Sequence, residues 1–378
     1  MKLTVSLKLQ PAPAQTQVLR DTLATVNAAC DSISQTAWEA RAFGQFKLHR
    51  LVYKPIRQAF QLSAQVVVRA IAKVADAYKL DKKAQRAFRK YGAIAYDDRI
   101  LRYYTDNGAA EVSIWTMQGR QVIPFVCGEY QRKLLASRQG ESDLTYRNGA
   151  FYLQAVCDIA EPETAPISDF VGVDLGVVNI AATSESQTFS GAEVEQTRAK
   201  YADLRQTLQH KASKQSQNGK RPRSIRRFQK RISKKEKNFR RHANHCISKK
   251  LVATAKTLGK GLAFEELKGI KTNLKQRFQK GQRAKISGWS FHELRQFTGY
   301  KARLAGVPLV LVGAKYTSQT CSACGHCEKA NRKSQAEFVC INCRHSENAD
   351  LNAARNIRRR AISNLAQESK SAALSKAA

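Results

Sequence analysis

Four cysteines, Cys321, Cys324, Cys340 and Cys343, form two Cys-x-x-Cys pairs with fifteen residues between them. Each pair belongs to a tight turn that aims two sulfurs at one point, and the intervening stretch is long enough for a small hairpin to return the second pair. That spacing suits a single tetrahedral Zn²⁺. Four thiolates close the coordination shell and leave no position for water, so such a zinc is structural and reaction chemistry must be sought elsewhere. Two disulfides are the competing use of the same thiols. The opening residues MKLTVSLKLQ alternate apolar and polar side chains, unlike a secretory leader, so a reducing compartment and metal binding are expected.

The acids come next. Asp174 ends the apolar run FVGVD, Glu265 and Glu266 end GLAFEEL, and Asp350 follows the cysteine stretch in NADLNAARNI. An acid at the end of a buried strand is costly unless it is solvated or paired. Beside Gly176, Asp174 also reads as an ordinary turn residue. Glu265 and Glu266 point to opposite sides if both lie in a strand, so only one of them enters a shared site. Carboxylates converging at a sheet edge are what hard divalent ions such as Mg²⁺ or Mn²⁺ require. A pair of such ions activates water and stabilises the leaving oxygen in phosphodiester cleavage.

Charge points to the substrate. Among 378 residues, 65 are Lys or Arg and 30 are Asp or Glu, a formal charge of +35. A polyanion is the expected partner. No apolar run approaches the roughly 20 residues that span a bilayer, so nucleic acid is favoured over a membrane surface or a small-molecule substrate. A cytoplasmic, nucleoid-associated protein is expected. Between Gly219 and Arg241 stand twelve Lys/Arg and one acid, Glu236. In a helix, Arg223, Arg227, Lys230 and Lys234 share one stripe with Lys237 and Arg241, a phosphate-facing side. A solvated basic linker is the plainer reading. Cys30, Cys127, Cys157 and Cys246 lie alone in apolar-patterned segments and read as small core residues.

The elements that must position these groups follow from periodicity. Leu3, Val5, Leu7 and Leu9 alternate with polar residues as a strand, ended by Pro11 and Pro13. Leu19, Leu23, Val26, Cys30, Ile33 and Ala37 mark one helix face, and Val67, Ile71, Val74 and Tyr78 another. From about Ala93 to Ile159 the period returns to two, with turns at Gln118-Gly119 and Asn148-Gly149. The first strand and this later block are compatible with one barrel interrupted by helices. Ala160 to Ser168 reads as a linker. Beyond it the order is strand, strand, a helix carrying Val194, Tyr201, Leu204 and Leu208, the basic helix, a further helix from about His242 to Leu258, the GLAFEEL strand, a basic loop, a helix over 287–304 and the strand VPLVLV. The cysteine stretch and a last helix capped by Asn348 complete it. That order suits a mixed sheet with helices packed on it.

The segments GVDLGVVNIA, LAFEELKGI, YTSQTCSACG, NRKSQAEFVC and NADLNAARNI, in this order, resemble the TnpB (OrfB) proteins of bacterial insertion sequences, relatives of type V CRISPR effectors. The resemblance covers about Phe170 to Ile362. It implies an α/β RNase H-like (RuvC) nuclease domain over 168–315 and 346–366, with a zinc ribbon inserted at 316–345. It also implies a wedge-type β-barrel over 1–10 and 92–160 with a helical recognition insert at 11–91; residues 367–378 read as a disordered tail. By the same resemblance Asp174, Glu265 and Asp350 form the metal-binding catalytic triad, Glu265 being chosen over Glu266 by the family's Glu-x-Leu pattern. The activity implied is RNA-guided cleavage of DNA next to a short motif, with a guide RNA from the transposon's own end and double- and single-stranded DNA as target. A catalytically silent RNA-guided repressor and a transposase or transposition accessory protein are the alternatives. Arg344 departs from the family, standing where Gly usually follows the fourth cysteine, and Asn348 stands where many relatives carry an acid. Arg332 either contacts a phosphate near the scissile bond or merely solvates the ribbon.

Overall fold

The computed structural model describes residues 1–105, 108, 110–164, 166–214, 222–267 and 291–377, with side chains described as far as 367. The basic loop expected after the GLAFEEL strand and the first residues of the helix expected over 287–304 lie outside the described residues. Two compact units divide the chain, Met1–Ala160 and Glu161–Ala378. Among the described residues no helix is long and apolar enough to cross a membrane.

In the first unit, β1 (Lys2–Leu9) is followed by three helices, α1 (Pro13–Glu39), α2 (Gln45–Phe60) and α3 (Ala64–Leu80). Strands β2 (Ile94–Tyr96), β3 (Leu101–Tyr104), β4 (Glu111–Thr116) and β5 (Gly119–Val126), the short helix α4 (Glu129–Leu135), β6 (Arg138–Arg147) and β7 (Ala150–Asp158) complete it. One antiparallel sheet of seven strands results, in the order β2-β6-β7-β1-β5-β4-β3. The first strand therefore lies in the middle, paired on both sides with strands that follow the helices. The sheet is barrel-like. Tyr103 on edge strand β3 donates to Ser142 Oγ on β6 at 2.9 Å, and Tyr96 on the other edge donates to the Trp115 carbonyl on β4 at 3.1 Å. Both expected turns are hairpins: Gly119 has φ 84°, and Asn148 and Gly149 have φ 52° and 84°, the left-handed pair that a two-residue turn demands. Helix α2 was not legible as a helix from its sequence. Leu48, Val52 and Ile56 do recur at fours and are buried, but Pro55 inside the segment reads as a breaker.

In the second unit, β8 (Phe170–Asp174), β9 (Asn179–Thr183) and β10 (Thr188–Ser190) are antiparallel, and β11 (Gly261–Glu265) and β12 (Leu309–Val312) are parallel to β8. The order is β10-β9-β8-β11-β12. Helices α5 (Ala192–Lys214) and α6 (Arg223–Thr257) fall between β10 and β11, and α7 (Phe291–Ala305) between β11 and β12. Where the residue pattern predicts a basic segment and then a separate helix, α6 is one helix of 35 residues. No Gly or Pro interrupts it between Arg223 and Thr257. A two-stranded hairpin, β13 (Glu337–Val339) with β14 (Ser346–Asn348), leads into α8 (Ala349–Ala377). Helical backbone continues to Ala377 where the composition predicts a disordered tail; the run SAALSKA has good helix formers and no breaker.

Alternation sorts the sheet's faces. Val171, Val173, Leu262 and Phe264 join the core beneath α6 and α7, whereas Phe170 and Ala263 pack with Ile357 and Ala361 of α8. Helix α8 descends β8 in steps of about one turn: Arg358 binds Asp169 through two bonds of 2.7 and 2.6 Å, and Ala354 lies against Gly172. A Cβ on Gly172 would sit 2.1 Å from the Ala354 carbonyl oxygen and 2.6 Å from the Arg358 nitrogen, both main-chain atoms that cannot step aside. Glycine is what lets helix and strand backbones touch. Asp169 is held well below the usual carboxylate range, at about 2: burial opposes the charge, but Arg358 and Lys260 outweigh it. We expect Gly172→Ala to cost about 3 kcal/mol or more, seen in urea denaturation as unfolding of the second unit at lower denaturant.

Candidate metal centres

The cysteine ribbon is built from two matching turns. Cys321 and Cys340 are buried with Phe338 and Ala349, and Cys324 and Cys343 are exposed. In one turn the Gly325 N–H donates to the Cys321 carbonyl at 3.0 Å and the Cys321 N–H to the His326 carbonyl at 2.8 Å; in the other, Arg344 donates to Cys340 at 3.0 Å and Cys340 to His345 at 2.9 Å. The Cys321–Cys343 and Cys324–Cys340 sulfur pairs are 3.7 and 3.6 Å apart. A zinc with bonds of ~2.3 Å has sulfurs about 3.8 Å apart in a regular tetrahedron, so the four thiols fit that ion. All four are free thiols, and their sulfurs lie within 4.8 Å of one another. Gly325 has φ 80° and Arg344 φ 63°, so the arginine adopts the same left-handed turn at a steric cost that glycine avoids.

Asp174 and Glu265 come together through register. Phe264 pairs with Val173 in the parallel ladder, which sets the next residues, Glu265 and Asp174, side by side at the strand ends. Alternation places Asp174 on the face of Phe170 and Gly172, and Glu265 on the face of Gly261 and Ala263, the face covered by α8. Glu266 follows the last strand residue, and its N–H donates to the Val312 carbonyl at 2.8 Å. Asp350 occupies the first turn of α8, capped by Asn348 Oδ1, which accepts from the Asp350 and Leu351 N–H groups at 3.0 and 3.4 Å. A carboxylate there is favoured by the helix dipole. Asp350 is buried, and its Oδ2 accepts from Asn179 at 2.9 Å.

These acids act on one another. Burial, then the charges of Glu265 and Asp350, push Asp174 up to about 8, with Arg332 opposing. Glu265 is raised by burial, against the Thr317 hydroxyl and the charges of Arg360 and Arg332. Arg332 is the cation that reaches in from the ribbon, 3.9 Å from Asp350 Oδ1, while its guanidinium donates to the Ser334 and Gln335 carbonyls at 3.3 and 3.2 Å. Two arginines, Arg332 and Arg360, against three carboxylates, one buried and two half-buried, leave an excess of negative oxygen, which is the donor set a hard divalent cation takes. The carboxylate oxygens are less tightly gathered than the sulfurs: among the described residues, the four cysteines are the cluster whose ligand atoms all lie within 4.8 Å.

Arg223, Arg227, Lys230 and Lys234 are exposed along α6, with Ile225 and Ile232 buried on its other side. Glu236, the single acid of that run, pairs with Arg205 of α5. Of the lone cysteines, Cys30 and Cys157 are core residues and Cys127 is half-buried, but Cys246 is exposed on α6, 3.6 Å from His242 Nε2. Its apolar neighbours Ile247 and Leu251 take the buried face and leave it outside. Residues that pattern reading passed over are Asn179, Thr317, Asn352 and Asn356. Thr317, Asn352 and Asn356 are short polar side chains at buried positions, and Asn179 is half-buried at the start of β9.

Solved structures share this fold. A Cas12f1 chain from a complex with sgRNA and target DNA superposes with a TM-score of 0.63 at 15% identity, covering 91% of this chain and 82% of that one. The mini-RNA-guided endonuclease CRISPR-Cas_phi3 gives a TM-score of 0.57 at 10% identity, covering 96% and 92%. In sequence, residues 154–267 match the family described as OrfB_IS605, Probable transposase, and residues 291–357 the Cas12f1-like, TNB domain. The CRISPR-associated endodeoxyribonuclease Cas12f1 of Sulfoacidibacillus thermotolerans is 32% identical over 62% of this chain and 54% of that protein. That of Syntrophomonas palmitatica is 30% identical over 50% and 44%. The Putative RNA-guided DNA endonuclease InsQ of Escherichia coli K12 is 28% identical over 55% and 53%. The chain is thus similar in part to TnpB-like and Cas12f proteins, and it spans about half the length of the curated relatives it matches.

Two outcomes follow. Arg344→Gly should relieve the turn by about 1 kcal/mol, read as a roughly fivefold higher chelator concentration needed to extract zinc. Asp174 has a folded-state pKa of about 8 above its ordinary 3.8. Its contribution to stability is therefore full below about pH 4 and is lost as pH rises through 8. In zinc-loaded protein free of other divalent ions, Asp174→Asn should raise Tm by roughly 5 °C at pH 8, with the gain vanishing toward pH 4 and reversing when Mg²⁺ is added.

Proposed function

We propose that this chain is an RNA-guided, divalent-metal-dependent DNA endonuclease of the TnpB type. The observation that carries the reading is the gathering of Asp174, Glu265 and Asp350 at one end of the sheet, from three separate stretches of a chain whose formal charge is +35. The strand order β10-β9-β8-β11-β12, three antiparallel strands and then two parallel ones, supports an RNase H-like, RuvC-type domain. On the same reading the barrel-like sheet is the wedge domain and α1 to α3 the recognition insert.

Mg²⁺ or Mn²⁺ would be held by Asp174, Glu265 and Asp350, and zinc by Cys321, Cys324, Cys340 and Cys343. Bound divalent ions supply activation of water and stabilisation of the leaving oxygen in phosphodiester hydrolysis. The chain's residues do the rest. Asn179 fixes one oxygen of Asp350, leaving the other toward Arg332. Arg332 limits the repulsion among the acids and offers its remaining N–H groups to a phosphate beside the scissile bond. Arg223, Arg227, Lys230 and Lys234 form a sequence-independent track for nucleic-acid backbone, whose affinity falls with salt. The guide is RNA from the transposon end, the target is double-stranded DNA with its displaced single strand, and the setting is the bacterial cytoplasm and nucleoid.

The test uses protein expressed with its flanking element DNA, so that a guide copurifies. Asp174→Ala should abolish Mg²⁺-dependent cleavage of a matched target, at least a thousandfold, while copurified RNA remains unchanged. Undiminished cleavage by the variant would overturn the assignment. RNA-dependent DNA binding without cleavage by the unaltered protein would mark a repressor, and strand joining by this chain alone a transposase.

A further inference from the structure

The ribbon touches the acidic site at both of its ends. Its exit is plain: the β13–β14 hairpin runs directly into α8, and Ala349, next to Asp350, packs with Cys321, Cys340 and Phe338. Its entry makes a second contact. Thr317, almost completely buried, donates its hydroxyl to Glu265 Oε1, and the Ala314 carbonyl, 3.1 Å from Thr317 Oγ1, is an alternative acceptor.

Thr317 is itself tied down from α8. Asn352 and Asn356 stand one turn apart on one helix face, two and six residues beyond Asp350. Asn356 Nδ2 donates to the Thr317 and Thr320 carbonyls at 2.9 and 2.6 Å. Asn352 donates to the Thr320 carbonyl at 2.9 Å and accepts from the Ser322 N–H at 2.8 Å. Both asparagines are buried, so these bonds form away from competing water. A path of direct bonds thus runs from the helix that carries Asp350 to the side chain that holds Glu265.

The loop has anchors that do not use the hydroxyl. The asparagines hold main-chain atoms, and the Thr317 methyl fills the same space as a valine methyl would. What the hydroxyl adds is a directed bond to one oxygen of a three-torsion side chain, which settles the direction in which the other oxygen faces. Its own β-branched torsion is stiff. We propose that Thr317 is a positioning residue for Glu265, clamped by Asn352 and Asn356, so that the ribbon's entry aims one acid of the site as its exit places another. This inference rests on the reading of Asp174, Glu265 and Asp350 as a divalent-metal site.

The test is Mn²⁺ binding, followed by electron paramagnetic resonance of the free ion in zinc-loaded protein of equal zinc content. Asp174→Asn serves as the site control. Thr317→Val should weaken Mn²⁺ binding about tenfold, the scale of lost support to a metal ligand, and Thr317→Ser should restore it to within about threefold of the unaltered protein. Where the valine variant loses zinc, Thr317→Ala carries the same expectation. Asp174→Asn losing Mn²⁺ while Thr317→Val binds it normally would overturn the positioning role and leave the metal site standing. Serine as weak as valine would overturn the role of the hydroxyl. Mn²⁺ binding unchanged in Asp174→Asn would overturn the metal site, and this inference with it.

Discussion

Three carboxylates of like charge are held together at one end of a sheet, one of them buried and two half-buried, and the second unit is arranged around that constraint. Nothing in their own charges brings Asp174, Glu265 and Asp350 there: burial raises Asp174 and Glu265, and the charges of Glu265 and Asp350 raise Asp174 further. The work is done at a distance from the acids. The Asp169–Arg358 pair and the contact of Ala354 with Gly172 press α8 onto β8. Parallel pairing of β8 with β11 fixes Glu265 beside Asp174.

The cysteine ribbon belongs to the same arrangement. Closed by four thiols, it has no chemistry of its own to offer, and its contribution is geometric. It enters at Thr317 beside Glu265, sends Arg332 back toward Asp350, and leaves through Asn348, which caps the helix whose first turn holds Asp350. Substituting Arg for Gly at position 344 leaves the turn in place, because the neighbouring Cys340 and His345 bonds impose the left-handed backbone whatever the side chain.

Much of the fold was legible in the residues. The alternation of Leu3 to Leu9, the Asn148-Gly149 turn and the apolar faces of α1 and α3 all correspond to observed elements, because each is a local pattern matched to a local geometry. Helix α2 escaped because Pro55 lies within it, and the exposed position of Cys246 because an apolar neighbourhood in sequence does not say which face of a helix is buried. The hydrogen-bond roles of Thr317, Asn352 and Asn356 were not legible at all. Their partners are carbonyls and a carboxylate that become neighbours only after α8 is docked.

The sequence by itself determined the two Cys-x-x-Cys pairs, the strand-end acids and the basic excess, since thiol spacing, charge count and residue position are properties of chain order. Tertiary structure alone decided which face of β11 looks at α8, hence that Glu265 and not Glu266 lies beside Asp174. It also decided how closely two backbones approach at Gly172. Strand register and helix docking join residues more than 170 positions apart, as Asn179 and Asp350 show. Such contacts are set by the packing of a whole unit, and no local pattern encodes them.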